Sequence, residues 1–265
     1  GELFLVTSGG EDPSRLSGEL VQAGFGDARV TVAERLSYPD ERITCATASE
    51  IAGQTFDDLN VMLIEFASRA ASSRWPYASS GIPDELFIRG DVPMTKQEVR
   101  AAALAKLAVQ PGDTLWDVGA GTGSVSVELA LAAPRGHVYA VECDPEACGL
   151  IRQNRETFYA CNLTLVEGRA PAALAELPAP DAVFIGGTKG GMEAVVDTVL
   201  ARNPNARICI SAIALETLSA AVAALTAHGL AAEVTQIAVS RTRPAGRLHL
   251  LMANNPIFLI TGERK

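Results

Sequence analysis

A chain of 265 residues holds one large domain, or one domain with a smaller companion. Its 48% hydrophobic and 20% charged content is that of a water-soluble globular protein, and no apolar run approaches the roughly 20 residues of a membrane-spanning helix. The net charge of -9 argues against a broad nucleic-acid-binding face, because phosphate recognition needs basic surface; a local basic pocket is still allowed.

The chain begins at Gly1 rather than Met, the mark of a processed or excised chain. No basic region followed by an apolar stretch and a cleavage site opens it, so the expected compartment is the cytoplasm. Its five cysteines (Cys45, Cys143, Cys148, Cys161, Cys209) form no CxxC pair and are expected to be buried free thiols. Three scattered histidines (His137, His228, His249) give no metal-ligand spacing, so no metal site is expected.

The first region, residues 1 to about 67, reads as strand, helix, strand, turn, strand. Glu2 to Thr7 is a short apolar run; Asp12-Pro13 then starts a helix, with Asp as cap and Pro in the first turn, and Gly24 is placed to end it. Ala28 to Glu34 and Asn60 to Phe66 read as strands, the second apolar enough to be central and covered on both faces. Residues 68–81, rich in Ser and Ala with one Pro, read as a linker.

From residue 82 to 265 strands and helices alternate. A helix over Thr95 to Leu107 precedes strand Thr114 to Val118, helix Ser124 to Ala133 and strand Val138 to Glu142. Asp144-Pro145 caps a helix running to about Ala160. Strands Leu163 to Glu167 and Ala182 to Ile185, a helix from Gly191 to Leu200, strand Arg207 to Ala212 and helix Leu215 to Ala227 follow. Two long closing strands, Ala231 to Ser240 and Arg247 to Thr261, predict an antiparallel hairpin on an otherwise parallel sheet with helices on both faces.

The chemistry points to Leu115-Trp116-Asp117-Val118-Gly119-Ala120-Gly121-Thr122-Gly123-Ser124, which ends one strand and opens a helix. Ligands of open α/β sheets sit past the carboxyl ends of strands, and glycines let them approach the backbone. A dinucleotide fold would show G-x-G-x-x-G; here the pattern is G-x-G-x-G with an acid two residues earlier. A sulfonium amino acid, with its ammonium group, suits such an acid, so Asp117, Gly119, Gly121, Thr122 and Gly123 are candidate S-adenosylmethionine contacts; Asp117 alternatively orders the turn. Glu142 ends the next strand, where an acid accepts hydrogen bonds from ribose hydroxyls. Glu167-Gly168-Arg169-Ala170 ends the third strand, where adenine is usually met, and Ile185-Gly186-Gly187 the fourth. Thr95 is either a contact at the cofactor mouth or a helix cap.

Residues 82–262 resemble the decarboxylating precorrin methyltransferases of cobalamin biosynthesis, which act at ring carbon 15. The resemblance lies in Gly81-Ile82-Pro83-Asp84-Glu85-Leu86-Phe87, Val92-Pro93-Met94-Thr95-Lys96, the glycine turn, Asp181-Ala182-Val183-Phe184-Ile185-Gly186-Gly187, Ala214-Leu215-Glu216-Thr217-Leu218 and Asn255-Pro256-Ile257-Phe258. Residues 1–66 resemble the C-terminal half of the partner enzyme that methylates carbon 5, through Leu36-Ser37-Tyr38-Pro39-Asp40-Glu41-Arg42-Ile43 and Asp58-Leu59-Asn60-Val61. Only one of that enzyme's two lobes is represented, so these residues are expected not to methylate carbon 5 alone. One position departs from the pattern: Arg169 stands where the family carries Asp, which puts an adenine contact there in doubt.

The resemblance implies a class I Rossmann-like methyltransferase with a mostly parallel seven-stranded sheet, preceded by a partial α/β lobe of a tetrapyrrole methylase. It also implies S-adenosylmethionine as cofactor, a homo-oligomer, and a carboxylate-rich precorrin as substrate. Arg89, Lys96, Lys189, Arg241, Arg243 and Arg247 are candidate partners for its carboxylates, with Arg241 and Arg243 expected in the turn between the closing strands. No residue is singled out as an acid or base, since an electron-rich ring carbon attacks an already activated methyl and positioning supplies most of the rate. Another methyl acceptor, such as RNA or protein, and a non-catalytic cofactor-binding domain are the alternatives. Asn254-Asn255-Pro256-Ile257 is similar to the Asn-Pro-Pro motif of amino-group methylases, but that motif follows the fourth strand, where this chain has Gly186-Gly187.

Overall fold

The computed structural model describes residues 3–7, 12–22, 25–66, 75, 77 and 79–264. The expected roles of Glu2 and Gly24, and most of the expected linker (68–74, 76 and 78), fall outside the described residues. The chain divides into two compact units, residues 1–77 and 78–265.

In the first unit, β1 (Leu3–Thr7), α1 (Pro13–Gln22), β2 (Arg29–Glu34), β3 (Arg42–Thr47), the single turn α2 (Ala48–Ile51) and β4 (Asn60–Glu65) follow in order. The four strands form an antiparallel sheet, β1-β4-β2-β3. Strand β3 and turn α2 were not expected from the sequence. Thr47 and Glu50 close a reciprocal capping box at the start of α2, which fixes that turn locally. Along β4 the side chains alternate, with Asn60, Met62 and Ile64 buried and those between them half-buried. The strand is therefore not covered on both faces as its apolar composition implied; an antiparallel sheet packs one face on its core. That core is Ala28, Val30, Val32, Ala48, Ile51, Met62 and Ile64.

The second unit contains α3 (Gln97–Leu107), β5 (Thr114–Val118), α4 (Ser124–Ala132), β6 (His137–Glu142), α5 (Pro145–Thr157), β7 (Leu163–Glu167), β8 (Ala182–Ile185), α6 (Met192–Arg202), β9 (Arg207–Ala212), α7 (Leu215–Ala227), β10 (Leu230–Ile237), β11 (Ser240–Ala245), β12 (Leu248–Ala253) and β13 (Ile257–Arg264). Seven strands order as β10-β13-β9-β8-β5-β6-β7, and only β13 runs against the rest. This is the mostly parallel sheet that the alternation of elements predicts, in the seven-stranded Rossmann-like form that the resemblance implies. Every residue of β8 is buried, as is β5 from Leu115 onward, as a parallel strand with helices on both faces requires. Helices α3, α4 and α5 pack side by side, and so do α6 and α7. Trp116, Val118, Val183, Ile185, Val195 and Ile210 anchor the core against α6 and α7, where each fully buried large side chain contributes about 1.5–3 kcal/mol.

The closing strands differ from expectation. The second long run breaks into β12 and β13, and β11 forms where a turn was expected; β10 and β13 pair in the main sheet, while β11 and β12 form a separate two-stranded hairpin. Arg241 and Arg243 therefore lie within β11 and not in a turn. Of the five cysteines, expected to be buried, only Cys148 and Cys209 are; Cys45 and Cys161 are exposed and Cys143 is half-buried.

Candidate active site

At the carboxyl end of β5 the chain must turn into α4 within a few residues. Gly119, Gly121 and Gly123 take φ of 72°, 55° and 75°, a region costly for side-chain-bearing residues. At Gly119 space matters as well: a Cβ would lie 2.3 Å from the Gly187 carbonyl oxygen. The turn is tied to β6, since Gly119 N and Ala120 N both donate to the Val141 carbonyl, and Gly121 N donates to Glu142 Oε2 at 2.9 Å. Glu142 Oε1 also accepts from Cys143 N at 2.7 Å and Asp144 N at 2.9 Å. One carboxylate thus organises two loops at the end of the sheet.

Asp117 stands behind this turn and is fully buried. Its Oδ2 accepts a hydrogen bond from the Ser126 hydroxyl, while Oδ1 has no partner among the described residues. Burial pushes its carboxyl up to about 7, and the nearby charge of Glu142 adds to the push.

A cavity of about 770 Å³ opens over the carboxyl ends of the parallel strands, where open α/β sheets bind ligands. Of the residues expected at a cofactor site, Thr95, Gly119, Gly121, Thr122, Glu142, Arg169, Ala170 and Gly186 line it. Asp117 and Gly123 do not: Asp117 lies under the turn, and Gly123 caps α4. Thr122 lines the wall, and its buried Oγ1 has no partner among the described residues. Arg169 is exposed at the rim.

Of the expected substrate cations, Lys96 and Lys189 line the cavity, with Lys189 Nζ 3.5 Å from Cys143 Sγ. Arg89, Arg243 and Arg247 are not on its wall, and neither is Arg241. Arg241 is instead engaged by acids near the start of α3: its Nη2 lies 2.9 and 2.8 Å from the two Glu98 oxygens and its Nη1 3.4 Å from Asp84 Oδ2. Thr95 does not cap α3. Lys96 occupies the cap position without a side-chain bond, so α3 begins two residues later than expected.

The loop carrying Thr95 and Lys96 is held by residues that sequence reasoning missed. Arg100, fully buried, donates through Nε to Glu128 Oε1 at 2.8 Å and through Nη1 to Asp84 Oδ1 at 2.9 Å. Its remaining donors reach the carbonyls of Thr95 and Ile82, and its guanidinium stacks 4.7 Å from the Phe87 ring centre. Glu128 accepts from Gly81 N at 2.7 Å and Ile82 N at 3.0 Å. The signal was present: Arg100 lies on the buried stripe of α3 with Ala103, Leu104 and Leu107, and Glu128 interrupts the almost wholly buried α4. Two opposite charges in two apolar stripes imply a buried pair.

Also missed on the wall were Cys143, Asp144, Ile213, Val239, Asn254 and Asn255. The asparagines had been set aside because their motif belongs after the fourth strand. The reversal of β13 explains the miss. Phe258 pairs with Ala212 at the carboxyl end of β9, so the start of β13 arrives at the same edge of the sheet as Gly186 and Gly187.

Known proteins are similar to this chain in sequence and fold. The model of the precorrin methyltransferase domain matches residues 85–264. A probable cobalt-precorrin-6B C(15)-methyltransferase (decarboxylating) of Pyrobaculum calidifontis is 50% identical over 192 residues, covering 71% of this chain and 97% of that protein. A precorrin-6Y C(5,15)-methyltransferase [decarboxylating] of a Sinorhizobium species is 42% identical over 200 residues, covering 74% of this chain and 48% of its own length. The crystal structure of precorrin-6Y C5,15-methyltransferase from Geobacter metallireducens superposes with a TM-score of 0.67 at 41% identity, covering 70% of this chain and 97% of that one. With a glycine turn, an acid at the end of the next strand and a family match across its larger unit, the chain belongs to the precorrin methyltransferase family.

Proposed function

We propose that the chain methylates carbon 15 of a precorrin and removes carbon dioxide from the acetate on carbon 12, in cobalamin biosynthesis. Family membership implies use of S-adenosylmethionine, which supplies an activated sulfonium methyl group. The observation that carries the reading is the glycine turn with Glu142 on one wall of a cavity whose other walls present Lys96 and Lys189. That combination suits a cofactor with ribose hydroxyls beside an acceptor rich in carboxylates.

In this reading Gly119, Gly121 and Thr122 let the cofactor approach the backbone, and the Thr122 hydroxyl and Glu142 offer it polar contacts. Gly186, Arg169 and Ala170 border it. Asp117 acts indirectly, ordering the turn through Ser126. Lys96 and Lys189 hold acceptor carboxylates, and the apolar walls exclude water from the transfer. No general base is assigned: the conjugated macrocycle itself takes up the electrons released on decarboxylation.

Residues 1–66 are read as part of a carbon-5 methylase lobe, with no carbon-5 activity of their own. The chain is read as a homo-oligomer; Leu248, Leu250, Leu251 and Met252 are exposed along β12, an apolar strip suited to a second copy, and sedimentation tests it. The function itself is tested by incubating the chain with S-adenosylmethionine and precorrin-6B and following product mass. Gain of one methyl with loss of carbon dioxide is expected, and cofactor binding without any mass change overturns the choice of substrate. Glu142→Ala should weaken cofactor binding about tenfold or more by calorimetry, since a buried acceptor of several hydrogen bonds is lost.

A further inference from the structure

The cavity extends beyond the cofactor-side residues. Its far half is walled by the end of β9, the bend after β10 and the bend before β13, through Ile213, Val239, Asn254, Asn255 and Ile257. Its chemistry differs from the near half. The acids on the wall, Glu142 and Asp144, both stand at the β6 end, and none of the described residues places one here. Ile213 is 62% exposed although it borders a cavity, an apolar plate without a cover. No described residue takes a hydrogen bond from the side-chain amide of Asn254 or Asn255, and both residues are exposed.

This wall has a fixed position. Asn254 N donates to the Val239 carbonyl at 2.9 Å, and Ile257 pairs with Ile237, so the two bends are tied to each other where the hairpin leaves the sheet. The exposed Arg241–Glu98 pair biases the hairpin toward α3. A rim whose two bends are tied to each other, with free amides, is prearranged to receive a ligand instead of rearranging around one.

We propose that this half is the acceptor subsite, built for a flat apolar macrocycle with carboxylates at its edge. Ile213, Val239 and Ile257 pack against the ring, and the side-chain amides of Asn254 and Asn255 donate to edge carboxylates. Amide donors bind a carboxylate without presenting a second charge to be desolvated, and the absence of acids removes repulsion. Lys96 and Lys189, on the same cavity, supply the counter-charge. The inference deepens the function proposed above and rests on it for the identity of the macrocycle.

The test compares wild type with Asn255→Asp and Asn255→Ala, both at an exposed position that leaves the fold intact. Asn255→Asp should raise the KM for precorrin-6B about tenfold or more and Asn255→Ala by less, with the S-adenosylmethionine dissociation constant within about twofold of wild type. An unchanged KM, or an equal loss of cofactor affinity, overturns the subsite. A readout independent of turnover separates this from failure of the proposed function: titration with uroporphyrin, an octacarboxylate tetrapyrrole, followed by its absorbance shift. Binding that weakens in Asn255→Asp supports the subsite even if precorrin-6B is not turned over. Binding equal in the two proteins, or absent from wild type, sinks it.

Discussion

Arg100 and Glu98 sit two residues apart on α3, and each forms an ion pair with a distant part of the chain, yet the two pairs behave as opposites. Arg100 and Glu128 have side-chain exposures of 0% and 1%; Arg241 and Glu98 have 39% and 41%. The buried pair has no water to fall back on, and its leftover donors and acceptors are used on backbone groups of residues 81, 82 and 95. The exposed pair exchanges one set of partners for solvent at little cost. The same chemistry therefore sets a loop permanently beside the cavity in one case and only biases a hairpin in the other.

Breaking the buried pair gives the largest expected effect. Arg100→Met should cost about 3–5 kcal/mol in urea unfolding, because Glu128 is left charged and buried. Buried pairs elsewhere are often replaced by apolar residues without loss. Here the double variant Arg100→Met, Glu128→Leu should stay destabilised, because Gly81 N, Ile82 N and the carbonyls of Ile82 and Thr95 would lose their partners. Recovery of wild-type stability in the double variant would show that those backbone bonds matter little.

A buried acid with no cation sharpens the contrast. The folded-state pKa of Asp117, about 7, lies above its ordinary 3.8, so the folded protein binds this proton more tightly than the unfolded chain does. Its contribution is fully present below about pH 4 and is lost as pH rises through 7. Asp117→Asn should thus gain on wild type across that window, by at most about 4 kcal/mol above pH 8. Parallel stability profiles for the two proteins at pH 5, 6, 7 and 8 would refute the assignment.

The exposed pair gives the smallest effect. Arg241→Ala should cost no more than about 1 kcal/mol, and the difference should shrink in 1 M salt, whereas the Arg100→Met loss should not. Its hydrogen bond with Arg241 holds Glu98 below the usual carboxylate range, so what the pair contributes fades as pH falls through that lowered value. Hydrogen exchange along 240–253 should rise in Arg241→Ala while the strands of the main sheet keep their protection.

Much of the larger unit was legible because local signals agreed with tertiary ones. Asp144 and Pro145 cap α5 as their residue types predict, and the apolar runs of β5 and β8 are buried on both faces. The turn at Gly119 to Gly123 was legible for the same reason: its backbone needs glycines wherever it occurs. Misses arose where meaning depended on a partner far along the chain. Arg241 looked like a free cation because Glu98, 143 residues away, carries no sign of the pairing. Strand β3 was hidden because its residues are mostly exposed or half-buried at a sheet edge and show little periodicity. The closing hairpin was hidden because Leu248 to Ala253 runs on into the apolar composition of β13, while Ser240 to Ala245, with two arginines and Pro244, reads as a turn.

The reversed strand β13 has a consequence for how such an enzyme could change its substrate. Because β10 ends at the active edge and β13 begins there, everything between Ile237 and Ile257 is an excursion that begins and ends beside the cavity. None of the seven sheet strands lies within it, and neither does the glycine turn. A change in the length or sequence of this segment would reshape one wall of the cavity and leave the glycine turn and the seven sheet strands as they are.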